Sequence, residues 1–98
     1  MQTITGQYEG SLAVTENTTL IGQVGGDVSV HRGARFVVHG QVAGTVNVAD
    51  GAVLELRGQV ARDIVNAGRV ELYGQVAGSV RDQGGDLLNF GGEVLNVT

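Results

Sequence analysis

Residues 22–39 read GQVGGDVSVHRGARFVVH and residues 40–57 read GQVAGTVNVADGAVLELR, so glycine and aliphatic residues occupy the same columns of two consecutive 18-residue units. Gly-Gln-Val recurs at Gly58-Gln59-Val60 and Gly74-Gln75-Val76, and Gly6-Gln7-Tyr8 precedes the series with Tyr in place of Val. Successive copies are spaced by 16, 18, 18 and 16 residues. A fixed period of this length is too short for a helix pair or a propeller blade and suits one coil of a β-solenoid.

The columns say which side chains point inward. Tyr8, Val24, Val42, Val60 and Val76 are third in the unit; Leu12, Val28, Val46, Ile64 and Val80 are seventh; Val14, Val30 and Val48, followed by the polar Asn66 and Asp82, are ninth. Phe36, Leu54 and Val70, with Leu20, Val38, Leu56 and Leu72, form two more columns ahead of the next Gly-Gln. Polar residues alternate with them, the period-two signature of strands with one buried face. Each unit is therefore two or three short strands, and stacking about five of them at 4.7–4.9 Å encloses an aliphatic column roughly 24 Å tall. The expectation is one all-β domain over residues 1–98, with regular coils over about 6–80 and a divergent coil over 81–98.

Glycine is expected at the corners. Gly10, Gly26, Gly44 and Gly78 share one such column, where positive φ would suit glycine, and Arg62 in the same column implies strain or a differently built corner. With 17 Gly and no Pro, the chain bends often without giving up a backbone donor.

Composition narrows the function classes. The absence of Cys removes disulfides and thiolate chemistry, and a net charge of −4 with Arg as the sole strong cation disfavours a general nucleic-acid binder. No aliphatic run approaches the roughly 20 residues needed to cross a bilayer, and MQTITGQ lacks the basic and apolar regions of a secretory signal. A cytoplasmic address is the default expectation.

The pattern GQVxGxVxV followed by xVxLxGQV over residues 20–80 resembles the bactofilins, polymer-forming cytoskeletal proteins of bacteria. The resemblance is carried by residues 22–28 (GQVGGDV), 40–46 (GQVAGTV) and 74–80 (GQVAGSV). It implies a right-handed three-sided β-helix, self-assembly into filaments without nucleotide or other cofactor, and a scaffold role, commonly at the membrane. Only Met1 to Thr5 precede the first unit here, whereas family members carry polar tails and a membrane-targeting segment, so the expected partner is the chain itself, with association to a membrane as the alternative to a purely cytoplasmic location.

The same columns admit a rival. Val24, Val30, Phe36, Val42, Val48, Leu54 and Val60 are each six apart, with Val28, Ala34, Val46, Ala52 and Ile64 four residues after members of that series, close to the hexapeptide repeat of left-handed β-helix acyltransferases. The right-handed form is favoured because Val38 and Leu56 crowd a strict hexapeptide face and Gly-Gln-Val recurs once per coil. The left-handed helix stays as the alternative.

No catalytic or metal site is expected. His31 and His39 lack a second His or a Cys at ligand spacing, and no segment is long enough for an acceptor-binding excursion. Gln7, Gln23, Gln41, Gln59 and Gln75 should stack on one flank as a structural amide ladder. Asp27 and Asp63 share a column with Ser11, Thr45 and Ser79 beside the corner glycines, where a short oxygen side chain bonds turn N–H groups more readily than calcium. Asp50, Glu55, Glu71 and Asp82 offer an acidic face to another protein, the basis of an alternative function as a small protein-binding module of inhibitor or antitoxin type. The assembly interface is expected at the two ends, at Ile4, Leu12 and Val14 and at Leu87, Leu88, Phe90, Val94 and Leu95, because a solenoid end presents apolar side chains and unpaired strand groups. The alternative is that the last segment folds back as a cap.

Overall fold

The computed structural model describes residues 2–89, 91 and 93–97. The period-two alternation resolves into fourteen strands among them: β1 (Gln2–Tyr8), β2 (Leu12–Val14), β3 (Thr18–Val24), β4 (Val28–Val30), β5 (Arg35–Val38), β6 (Gln41–Val42), β7 (Val46–Val48), β8 (Val53–Leu56), β9 (Gln59–Val60), β10 (Ile64–Asn66), β11 (Arg69–Leu72), β12 (Gln75–Asp82), β13 (Asp86–Asn89) and β14 (Glu93–Val97). Every pairing is parallel and joins residues one coil apart, which makes the chain a β-solenoid of about five turns.

Three faces follow from the register. The first stacks residues 6–8 of β1, 22–24 of β3, β6, β9, 75–76 of β12 and 93–94 of β14. On the second lie β2, β4, β7, β10, residues 80–82 of β12 and 96–97 of β14. Residues 2–4 of β1, residues 18–20 of β3, β5, β8, β11 and β13 make the third. The ladder also continues through corners, where His39, Arg57 and Tyr73 each donate a backbone N–H to the coil before at 2.8 Å.

The inward columns meet in one core. Val24, Val42, Val60 and Val76, the series from Leu12 to Val80, and Phe36, Leu54 and Val70 with their neighbours are all buried, joined by Ala34 and Ala52. Removing each larger aliphatic group from water contributes roughly 1.5–3 kcal/mol, which only the stacked arrangement realises. Tyr8 is the exception in its column: it is 37% exposed where Val24 is 1% exposed, because among the described residues no coil lies beneath it.

The corner glycines work differently from the sequence expectation. Among the column of Gly10, Gly26, Gly44 and Gly78, only Gly10 has positive φ, and Arg62 has ordinary backbone, so no strain is stored there. The requirement is closeness of coils. A Cβ on Gly44 would come within 2.6 Å of the Gly26 carbonyl oxygen, and one on Gly58 within 2.8 Å of the Gly40 carbonyl carbon. Glycine in the Gly-Gln-Val phrase thus lets one coil's backbone rest on the next.

In the 16-residue coil that begins at Gly58, a polar residue, Asn66, faces inward. It occupies the inward column where Val48 stands in the coil before, is fully buried, and donates from Nδ2 to the Asp86 carbonyl at 2.8 Å in the coil after.

Candidate functional site

The Gly-Gln-Val register carries one glutamine per coil to the outer surface of the first face. Gln23 Nε2 donates to Gln41 Oε1 at 3.2 Å, Gln41 to Gln59 at 3.0 Å and Gln59 to Gln75 at 3.2 Å. Gln7 is in register with Gln23 by backbone pairing, while the bonded amide series among the described residues runs from Gln23 to Gln75. A shallow groove of about 680 Å³ follows this ridge, with Ala43, Ala61 and Ala77 on its other side. Amides and methyl groups supply hydrogen bonds and contact, and no ionisable side chain lines the groove to move a proton.

The third face carries a lattice of charges. Arg35 Nη2 lies 2.5 Å from Glu55 Oε1 and 3.5 Å from Glu71, Arg57 Nε lies 2.8 Å from Glu55 Oε2, and Arg69 Nε lies 3.3 Å from Glu71. The Arg57 guanidinium sits 4.4 Å from the centroid of the Tyr73 ring. The hydrogen bond from Arg57, with a second from Arg35, holds the Glu55 carboxyl below its ordinary value against the opposing effect of burial. Glu55 and Glu71, expected on an acidic docking face, are instead engaged by arginines across coils. Asp50 is exposed at a corner, and the Asp82 side chain lies outside the described residues.

The aspartates at the corner between the first and second faces act between coils. Asp27 Oδ1 accepts the Thr45 N–H and Asp63 Oδ1 accepts the Ser79 N–H, both at 2.8 Å. His31 and His39 are exposed, and among the described residues no group of three His, Cys, Asp or Glu converges as metal ligands.

At the N-terminal end, β1 pairs with β3 alone and β2 with β4 alone among the described residues, leaving their outer edges open. Of the apolar residues expected there, Ile4 is half-buried against the core, while Leu12 and Val14 are covered. Leu12 and Val14 face the core from β2, while Tyr8 at the end of β1 is exposed.

At the other end, β13 pairs with β11 and β14 with β12 among the described residues. The tail continues the solenoid as further layers and does not fold across its end. Leu87 packs against the core and Leu88 is half-buried on the outer side. Val94 is in register with Val76, and Leu95 follows in β14. What was expected of the Val94 and Leu95 side chains, and of Phe90, lies outside the described residues. No described helix is long and apolar enough to cross a membrane. Comparison of the chain with protein-family models, curated proteins and solved structures finds no match.

Proposed function

We propose that this chain is a structural protein that associates end to end into filaments without nucleotide, as the bactofilins it resembles do, and acts as a cytoskeletal scaffold. The observation that carries the reading is the pair of open ends: the outer edges of β1 and β2, and those of β13 and β14, are strands with one side unpaired among the described residues. An open edge of this kind is a template for another strand, and solitary solenoids usually cover it with a polar cap. The exposed Tyr8 adds apolar surface at one of these ends. The alternative of a module that docks a partner on an acidic face loses support from the arginine pairing of Glu55 and Glu71.

Electron microscopy and light scattering of the purified chain, at low and high concentration and without nucleotide or metal, test the proposal. Filaments lengthening with concentration are expected. A monomer at all concentrations would sink it.

A further inference from the structure

We propose that the glutamine strip of the first face is a side contact with a second copy of this chain: two solenoids lie flank to flank and point the same way, each glutamine ridge seated in the alanine groove of the other. The contact does not depend on how the ends of the solenoid meet.

The strip is built from one short phrase. Gln41 stands two residues before Ala43, Gln59 before Ala61 and Gln75 before Ala77, and the valine between them faces the core, so both outer side chains leave the same face. The bonded amides form a continuous ridge, and the alanines line the other side of the groove of about 680 Å³ that follows it. The ladder already satisfies one donor and one acceptor of Gln41 and of Gln59, which lowers the cost of covering the ridge.

The repeat selects the occupant. Ridge and groove advance by one coil at a time, about 4.8 Å, and a second solenoid of the same sequence repeats at that interval, so a fit made at one coil is made at all of them. An extended peptide, rising about 3.3 Å per residue, falls out of step. Charge agrees, since each copy carries a net charge of −4 and no ionisable side chain lines this groove. On the third face the same approach would take the ion pairs of Glu55 with Arg35 and Arg57 out of water.

Symmetry then fixes the direction. A two-fold axis between facing copies lies either across the solenoids or along them. Across them, glutamine meets glutamine and alanine meets alanine, so the ridges collide and the grooves stay open. Along them, the columns change places and each ridge enters a groove, coil against like coil. Glu9, which stands in the alanine column beneath Gly25, then faces Gln7 of the other copy, a carboxylate against an amide donor.

The strip is narrow. Four coils make it about 19 Å tall and about 10 Å wide, roughly 200 Å² per copy against the ~800 Å² per partner of a stable interface. A lone pair is therefore weak, and the contact gains strength where copies already stand in line and many strips meet together.

Single cysteines at exposed positions test the contact, since the chain has no Cys of its own. Sheets packed face to face stand about 10 Å apart, so a bismaleimide of about that reach should join Gln75→Cys protein to Ala77→Cys protein. Gln23→Cys mixed with Ala77→Cys sets the thiols three coils apart, about 14 Å along the axis. At least fivefold more dimer is expected in the first mixture than in the second, with the yield rising as salt screens the repulsion between the two chains. More dimer from Gln23→Cys mixed with Gln75→Cys would overturn the parallel arrangement, and equal dimer in all three mixtures would overturn the contact.

Ala61→Arg and the uncharged Ala61→Gln, introduced into the Gln75→Cys and Ala77→Cys proteins, fill the groove at a column where Glu9 already carries a long side chain. Both should abolish the cross-link with the circular dichroism spectrum unchanged, and a cross-link that survives either one would overturn the groove as the seat. Filaments without these cross-links overturn the side contact and leave the end-to-end reading standing. Cross-links in a protein that forms no filaments do the reverse.

Discussion

Asp27 holds the coil beyond its own, its Oδ1 accepting the backbone N–H of Thr45 at 2.8 Å. The same bond recurs from Asp63 to Ser79, so the aspartate column pins corners that would otherwise leave an N–H to water. Asp27→Ala should therefore cost about 1–3 kcal/mol, while Asp27→Asn, which keeps an acceptor oxygen, costs less. Urea denaturation of both variants checks this. Equal losses would show that charge, not the intercoil bond, matters at this corner.

Val46 and Asn47 are neighbours in β7 with opposite fates: Val46 is fully buried and Asn47 is exposed. A carboxylate at position 46 would lose its hydration among Val28, Ile64 and the other aliphatic residues, where nothing pairs with it. Val46→Asp should destabilise by several kcal/mol more than Asn47→Asp, on the order of 3–5 kcal/mol. Melting temperatures that coincide would contradict the inward column.

Legibility divides along a physical line. Side chains that repeat once per coil, such as Val24 and Val42 or Gln41 and Gln59, announce their environment because each copy sees the same neighbours. Tyr8 does not, because the column rule assumes a coil on both sides and β1 has one on one side only. The glycine columns were located correctly but explained by φ, whereas Gly26, Gly44 and Gly78 answer to the distance between stacked backbones, which no local rule contains. The pairing of Arg35 with Glu55 and Glu71 joins residues 20 and 36 apart, and only the exact register across coils makes them neighbours.

Two glycines separate the contributions of space and conformation. A Cβ on Gly58 would stand 2.8 Å from the Gly40 carbonyl carbon and 3.0 Å from its nitrogen, whereas at Gly33, with φ +84°, nothing lies within 4 Å. Gly33→Ala should cost about 1–2 kcal/mol for the left-handed backbone alone. Gly58→Ala must push two coils apart and should cost more than 3 kcal/mol. Thermal unfolding gives the ranking, and a larger loss at Gly33 would contradict the stacking account.

Glu55 predicts an acid dependence. Its folded carboxyl is held below the ordinary glutamate value by hydrogen bonds from Arg57 and Arg35, so on acidification the unfolded chain takes up the proton first. The stability this supplies is complete above the unfolded-chain value and is lost as pH falls through the folded one. Glu55→Gln should accordingly destabilise at neutral pH, with the gap to wild type narrowing below the usual glutamate range. Chemical denaturation at neutral and acid pH measures that gap, and a constant difference would remove the ion pairs as its source.

Deleting residues 40–57 should leave a folded protein with one coil fewer. The cut removes the buried Val42, Val46, Val48, Ala52, Leu54 and Leu56 together, and it brings Val24 onto Val60, Val28 onto Ile64 and Phe36 onto Val70 in unchanged columns. Gln59 takes the place of Gln41 above Gln23, and Glu71 keeps a position within reach of Arg35. Because each coil touches only its neighbours, the loss is about one coil and one interface, so a lower melting temperature with a retained β-type circular dichroism spectrum is expected. Deleting residues 40–48 alone is the control. It would set the third face of one coil, and the corner that precedes it, against the first and second faces of the next, placing Gly-Gln-Val columns beside unrelated ones, and should abolish folding. A random-coil spectrum for the whole-coil deletion, or equal stability of the two deletions, would defeat the claim that the 18-residue unit is the building block.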